Sequence, residues 1–233
     1  MSDSRTGITF ALPSESSDLV RQLQSLQRHD NLLSGKIDDR AVTILHTGVG
    51  AKNCNARLEL LLHTARPKLV ISSGFAGAVS EQLQVGDLIL AQNFSDPGLL
   101  AGAERILRDR EPQRVKLFTS TSIVDSIVER NETARASGAA AIDMETGAIA
   151  AVCSAHRVPL LSLRVISDTP NQPFPMPPSI LFDIEQQRTS YGGLLAYLFR
   201  DPASIGRLIR FARRIAHARA TLTDAIVDLI RGL

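Results

Sequence analysis

The chain has 233 residues, 44% of them hydrophobic and 4% aromatic with no Trp, and a formal charge of +2. That length fits one sizeable α/β domain over residues 1–233 with an aliphatic core able to hold a site. The near-neutral balance argues against a dedicated nucleic-acid binder, and two cysteines, Cys54 and Cys153, give neither a disulfide framework nor a structural zinc. The N-terminus carries no basic-then-apolar leader and no apolar run spans a bilayer, so a cytoplasmic protein is expected.

Residues 7–12 read as a first short strand, broken by Pro13. Ser16 to Gln27 has helical spacing at Leu19, Val20, Leu23 and Leu26, with Ser14 or Ser16 as cap. Glu15 then sits at a strand-to-helix junction, where ligand-facing groups of α/β proteins collect. A turn at Lys36 to Asp39 leads to a strand over Ala41–His46 and the loop Thr47-Gly48-Val49-Gly50. Its two glycines permit either a bare turn or a row of N–H groups facing an oxyanion or hydroxyl. A helix over Asn53–Ala65 and a strand over Lys68–Ser73 follow. The strand runs into a small-residue loop, Gly74 to Val79, and then a strand over Gly86–Ala91.

Phe94 to Pro112 has the charge of a solvated, irregular segment. Val115–Ser120 reads as a strand and Ile123–Arg130 as a short helix, and Ala134–Ala141 leads into the turn Asp143-Met144-Glu145. Thr146–Arg157 is small and apolar enough for a helix packed on a sheet. Val158–Ile166 is a buried strand that delivers Ser167 and Asp168 at its end. Glu145, at the opening of a helix, and Asp168, at the end of a strand, are thus placed to face one cleft. Two carboxylates in one pocket can divide acid and binding roles. The simpler alternatives are a helix N-terminus that favours Asp143 and Glu145 through its dipole, and a strand-end turn at Asp168.

The Pro-rich stretch after Asp168 is either a pocket wall, with Phe174 and Met176 facing inward, or a rigid connector. Two helices, over 179–199 and 204–230, end the chain. The second has an apolar stripe of Ile205, Leu208, Ile209, Ala212, Ile215 and Ala216 and a basic remainder. Such a helix packs on a core with a solvated outer face more often than it lies on a membrane. Strands alternating with helices indicate a mixed, mostly parallel sheet covered on both faces. His46, His63 and His217 read as surface or core histidines.

Several of these segments resemble the nucleoside phosphorylase superfamily, and within it the 5′-methylthioadenosine/S-adenosylhomocysteine nucleosidases. They are Gly48-Val49-Gly50, Ser72 to Ala78, Gly86-Asp87-Leu88-Ile89, Asp143-Met144-Glu145 with its helix, and Arg164-Val165-Ile166-Ser167-Asp168, in that family's order. The resemblance implies a three-layer α/β/α fold around a mixed, mostly parallel sheet, with the active site at strand ends. It implies a homo-oligomer, with a dimer as first choice, that needs no cofactor or metal and acts on a small purine nucleoside. Asp168 resembles the acid that protonates N7 of the departing base, with Ser167 orienting its carboxyl. Burial is expected to help Asp168 hold that proton. Glu145 resembles the group that grips the ribose hydroxyls, with Asp143 in the same substrate-facing turn and Met144 beneath the ring. Glu15 matches the glutamate that positions the attacking water. Ser73, Gly74, Phe75, Ala76 and Gly77 line the ribose and nucleophile side.

Three departures bear on the substrate. Ile123 lies where the nucleosidases carry a phenylalanine that stacks on adenine. No arginine is evident beside the Gly-rich loops, which favours water over phosphate as nucleophile unless Lys52 or a neighbouring subunit compensates. The ending after Asp168 resembles instead the phosphorylase-like proteins of hopanoid lipid synthesis, which release adenine from an adenosyl-lipid. A catalytically silent nucleoside-binding or storage protein is the alternative outside enzymes, and the presence of both Glu145 and Asp168 argues against it.

Overall fold

The computed structural model describes residues 5–124, 126–173, 182–183, 188–189 and 204–233. Its centre is a pair of long parallel strands, β5 (Leu69–Ala78) and β10 (Leu160–Asp168). β1 (Thr6–Phe10) runs parallel to β5 and to β4 (Arg40–His46). β2 (Gln24–His29) and β3 (Leu32–Ile37) extend that side as antiparallel hairpins. On the other side β10 pairs antiparallel with β6 (Leu88–Ala91), which runs parallel to β7 (Gln113–Val115). A branch leaves β5 through β9 (Ala141–Asp143), antiparallel to β5 and parallel to β8 (Leu117–Thr119). The sheet is therefore mixed, as expected.

Alternating side chains feed two cores. Ile8, Phe10, Ile71, Leu161 and Leu163 pack against α1 (Pro13–Gln22), α3 (Pro97–Ile106) and α6 (Ser204–Gly232). Leu45, Val70 and Leu160 face the opposite way, against α2 (Ala51–Ala65) and α5 (Thr146–Ala155). This period-2 switch is what a strand covered on both faces requires. α4 (Ile127–Ser137) stands beside the branch strands. No helix among the described residues is long and apolar enough to cross a membrane.

Several sequence expectations are corrected. The helix expected over Ser16–Gln27 begins earlier and stops at Gln22. Neither Ser14 nor Ser16 caps it: the N-cap is Leu12, whose N–H donates to Glu15 Oε2 at 3.0 Å. Gln24–His29 is a nearly fully exposed edge strand with no alternation to betray it. The turn into β4 puts Asp38 and Asp39 at φ 45° and 66°, the left-handed pair of a two-residue hairpin. Gly74 to Ala78 is strand rather than loop, because β10 and β9 pair it.

The segment expected to be irregular contains α3, whose start was written in Asp96-Pro97. Asp96 Oδ1 accepts from Gly98 N and Leu99 N, and Leu100 and Ala103 are buried. The single strand expected over Val115–Ser120 is two short ones. The helix expected from Ile123 starts at Ile127 behind a Ser126–Glu129 capping box and ends at Gly138. Of the helix expected over 179–199, the described residues Phe182–Asp183 and Arg188–Thr189 instead pair antiparallel, as β11 and β12. Phe174 and Met176 lie outside the described residues. In α6 the core contacts are Ala218, Leu222, Ala225, Ile226, Val227, Leu229 and Ile230. Ile209, Ala212 and Ala216 of the predicted stripe are exposed, because that half of the helix is not packed in the core.

Asp96→Ala removes the α3 cap. It is expected to cost about 1 kcal/mol, read as a lower urea midpoint at unchanged slope. An unchanged midpoint would contradict the assignment of that cap.

Candidate active site

The pairing of β10 with β5 slips between Ile166 and Asp168, so that Asp168 stands opposite Gly77 with Ser167 inserted. Such a bulge re-aims a side chain. A Cβ at Gly77 would come within 3.1 Å of Asp168 Oδ2, so glycine there leaves room for the carboxylate. Ser167 Oγ donates to Asp168 Oδ1 at 2.6 Å. Arg130, from α4, ion-pairs with Oδ2 and donates through Nη1 to Ala78 O at 2.8 Å. Asp168 and Arg130 are each only 2% exposed. The expected burial of Asp168 is present, but the sequence reading missed its cationic partner.

The second carboxylate comes from the β9–α5 corner. Asp143 Oδ2 accepts from Arg164 Nε at 3.2 Å, Arg164 Nη2 at 3.0 Å, Thr146 N at 3.1 Å and Thr146 Oγ1. Its Oδ1 accepts from Thr119 Oγ1 at 2.9 Å. The Asp143 side chain is 1% exposed. Its carboxylate is thus engaged by protein donors, and what it does here is hold the corner. Glu145 is the N-cap of α5, and its Oε1 accepts from Gly50 N at 3.0 Å. In the Gly48-Val49-Gly50 loop, Gly50, at φ 87°, turns its N–H to a carboxylate of this protein rather than leaving a bare turn.

Glu15 closes the arrangement from α1. Its Oε1 accepts from Phe75 N at 3.5 Å. Gly74 adopts φ 142°, and a Cβ there would lie 3.3 Å from Glu15 Oε1 and 3.5 Å from Arg164 Nη1. Thr9, Ser73, Gly74, Glu15, Glu145 and Arg164 border a cavity of about 10 Å³, the room of one water. Among the described residues, Thr9 Oγ1, Ser73 Oγ and Arg164 Nη1 are buried without a hydrogen-bond partner. The sequence reading saw no arginine beside the Gly-rich segments. Arg164 is that arginine, brought opposite Gly74 by the β5–β10 register.

A larger cavity of about 330 Å³ opens in front. Glu15, Phe75, Ala76 and Gly77 border it, as do Ile123, Asp143, Met144, Glu145, Ser167 and Asp168. Ser73 and Gly74 lie behind, on the small cavity. Sequence reasoning missed Val124, Arg130, Phe211 and Ile215 on the same wall. Only the apolar stripe of the last helix hinted at Ile215. Burial pushes the Glu145 carboxyl up to about 7, with the nearby Asp143 and Glu15 charges adding to it and the Gly50 N–H opposing. Burial also raises Glu15.

The chain matches the family model described as "Phosphorylase superfamily" over residues 5–105 and 92–190. It is 26% identical over 197 residues to the 5′-methylthioadenosine/S-adenosylhomocysteine nucleosidase of Staphylococcus aureus (strain MRSA252), covering 71% of this chain and 86% of that protein. Among solved structures it is similar to the S-adenosylhomocysteine nucleosidase of Streptococcus pyogenes in complex with 5-methylthiotubericidin. That match has a TM-score of 0.77 at 19% identity and covers 100% of this chain and 98% of the other. It is also similar to the futalosine hydrolase of Helicobacter pylori, with a TM-score of 0.73 at 14% identity and 99% of each chain covered.

An acid that holds its proton more tightly folded than unfolded contributes stability that is complete below about pH 4.5 and lost as pH rises through its folded value. For Glu145 that window runs from about 4.5 to about 7. Glu145→Gln keeps an acceptor for Gly50 and has no charge to bury. Between pH 5 and pH 8 the wild type should lose stability relative to this variant, by on the order of 3 kcal/mol at most. A difference that stays constant with pH, measured by urea unfolding, would contradict the burial of an ionisable group here.

Proposed function

The chain belongs to the phosphorylase superfamily, and on that footing we propose that it is a purine nucleosidase, which hydrolyses the N-glycosidic bond of an adenosine-type nucleoside. The carrying observation is that Glu145 and Asp168 border one cavity, with Glu15 between it and a single-water recess. The methylthioadenosine/adenosylhomocysteine class is the first-choice substrate, by similarity to the nucleosidases above.

Cleavage of such a bond builds positive charge on the sugar, and adenine leaves poorly as an anion. In this reading Asp168 delivers a proton to N7 of the base, and Ser167 holds the carboxyl in line. The Arg130 guanidinium suits the carboxylate that remains once the proton has gone, and reloading requires it to give way. Glu145, ionised, bonds the ribose hydroxyls and lies near the growing charge, with Met144 against the ring. Glu15 takes the proton of the attacking water, with Ser73 and Arg164 as its other partners. A recess of about 10 Å³ has no room for phosphate, which favours water as the nucleophile. The expected homodimer belongs to the same reading.

A second reading concerns the 5′ substituent. Ile123, Val124, Phe211 and Ile215 make an apolar wall, and Ile127, Val128 and Ile209 in the same segments are exposed. This favours a long apolar group, as on a lipid-linked adenosine, over a short one.

Pure protein is to be mixed with methylthioadenosine, adenosylhomocysteine, adenosine and inosine, with and without phosphate, and free base measured. A lipid-linked adenosine is tested in parallel. Base release independent of phosphate is expected, with Asp168→Asn lowering kcat by at least ~10²-fold. Dependence on phosphate points to a phosphorylase, tight binding without turnover to a silent binding protein, and normal turnover in Asp168→Asn refutes the acid role.

A further inference from the structure

We propose that Glu59, His63 and His156 form a binding site for a borderline divalent cation of the Zn²⁺ class, where the C-terminal ends of α2 and α5 meet. Glu59 and His63 are one turn apart on α2 and share a face. His156 is the C-cap of α5. Sequence spacing does not link it to the other two; the packing of α2 against α5 does. Glu59 Oε2 lies 2.7 Å from His156 Nε2 and 3.6 Å from His63 Nε2. The two rings stand edge to face with centroids 5.6 Å apart, and one donor atom from each residue falls within 4.8 Å of the others.

Tetrahedral Zn²⁺ with bonds of about 2.0–2.1 Å holds its ligands roughly 3.4 Å apart. The three donors already scatter around that separation. His63 is 73% exposed, Glu59 43% and His156 32%, so a cation can reach them and small rotations close the set. Two imidazoles and one carboxylate select Zn²⁺, Co²⁺ or Ni²⁺ over Mg²⁺ and Ca²⁺, which want oxygen throughout. α2 ends at Ala65 and α5 at Ala155. Both helices therefore present their negative dipole ends near the cluster, which favours a cation. Three protein ligands leave a fourth position open to solvent.

The site lies at the other end of α2 and α5 from the Gly50–Glu145 contact, and its existence does not depend on the activity proposed above. Its structural effect would be to tie the C-terminal ends of the same two helices whose N-terminal ends meet in the Gly50–Glu145 bond.

The full chain, stripped with chelator and dialysed, is titrated with ZnCl₂ by calorimetry and with CoCl₂ by visible absorption. One site per chain with Kd on the order of micromolar is expected, with a tetrahedral Co²⁺ spectrum and a higher Tm in the presence of Zn²⁺. His63→Ala and His156→Ala, both at exposed positions, should each weaken binding by about 10-fold or more and abolish the Tm shift. No saturable binding in that range, or binding unchanged in both variants, would overturn the proposal; the second outcome would mean an adventitious ion held elsewhere.

Discussion

Arg164 is the side chain on which the site's geometry rests. It projects from the central strand β10, 2% exposed, and reaches Asp143, Ser72 and Thr146. A guanidinium at that depth needs its charge met, and the one nitrogen left without a protein partner among the described residues, Nη1, borders the water-sized recess. Asp143 meets the charge, and in doing so ties the short strand β9 and the start of α5 to the middle of the sheet. Glu145 leaves the chain two residues later. Removing either partner of such a pair commonly costs about 3–5 kcal/mol, and here it would also release the turn that carries Met144 and Glu145.

The same strand holds the other carboxylate by a different device. The slip in register at Ser167 brings Asp168 opposite Gly77, where the missing side chain leaves space for it. Arg130 then neutralises the carboxylate from a helix that belongs to neither central strand. Two buried arginines therefore serve two buried aspartates, and Glu145 and Glu15 are the acids left without a guanidinium bond. That asymmetry matches the raised positions of Glu15 and Glu145, both driven first by burial. In the proposed reading the glutamates face sugar and water and Asp168 faces the base, which requires Arg130 to give way before Asp168 can carry a proton.

Much of this was legible in the residues, and the gaps have physical causes. The β10 run and the small apolar α5 are buried on both sides or packed flush, so their composition alone marks them. Glu145 and Asp168 were visible because each ends such an element. Arg130 was not, because nothing within its own polar helix distinguishes it from Arg135, and only the fold brings it to Asp168. Arg164 lay in plain view inside an apolar strand, where a charged residue is costly without a partner. That anomaly was the signal, and its consequence beside Gly74 went unread. β2 escaped because an exposed edge strand shows no alternation, while Leu23 and Leu26 happened to continue a helical spacing. α3 was announced by Asp96-Pro97 and masked by the charge that follows it.

The most direct measurement is a crystal structure with an adenosine analogue whose base is joined to the sugar through carbon, so that it binds and cannot be cleaved. The account predicts both ribose hydroxyls within hydrogen-bond reach of Glu145, the purine N7 edge against Asp168 with Arg130 drawn aside, and a water in the recess between Glu15, Ser73 and Arg164. An analogue bound elsewhere, or lying in this cavity with its sugar away from Glu145 and its base away from Asp168, would contradict it.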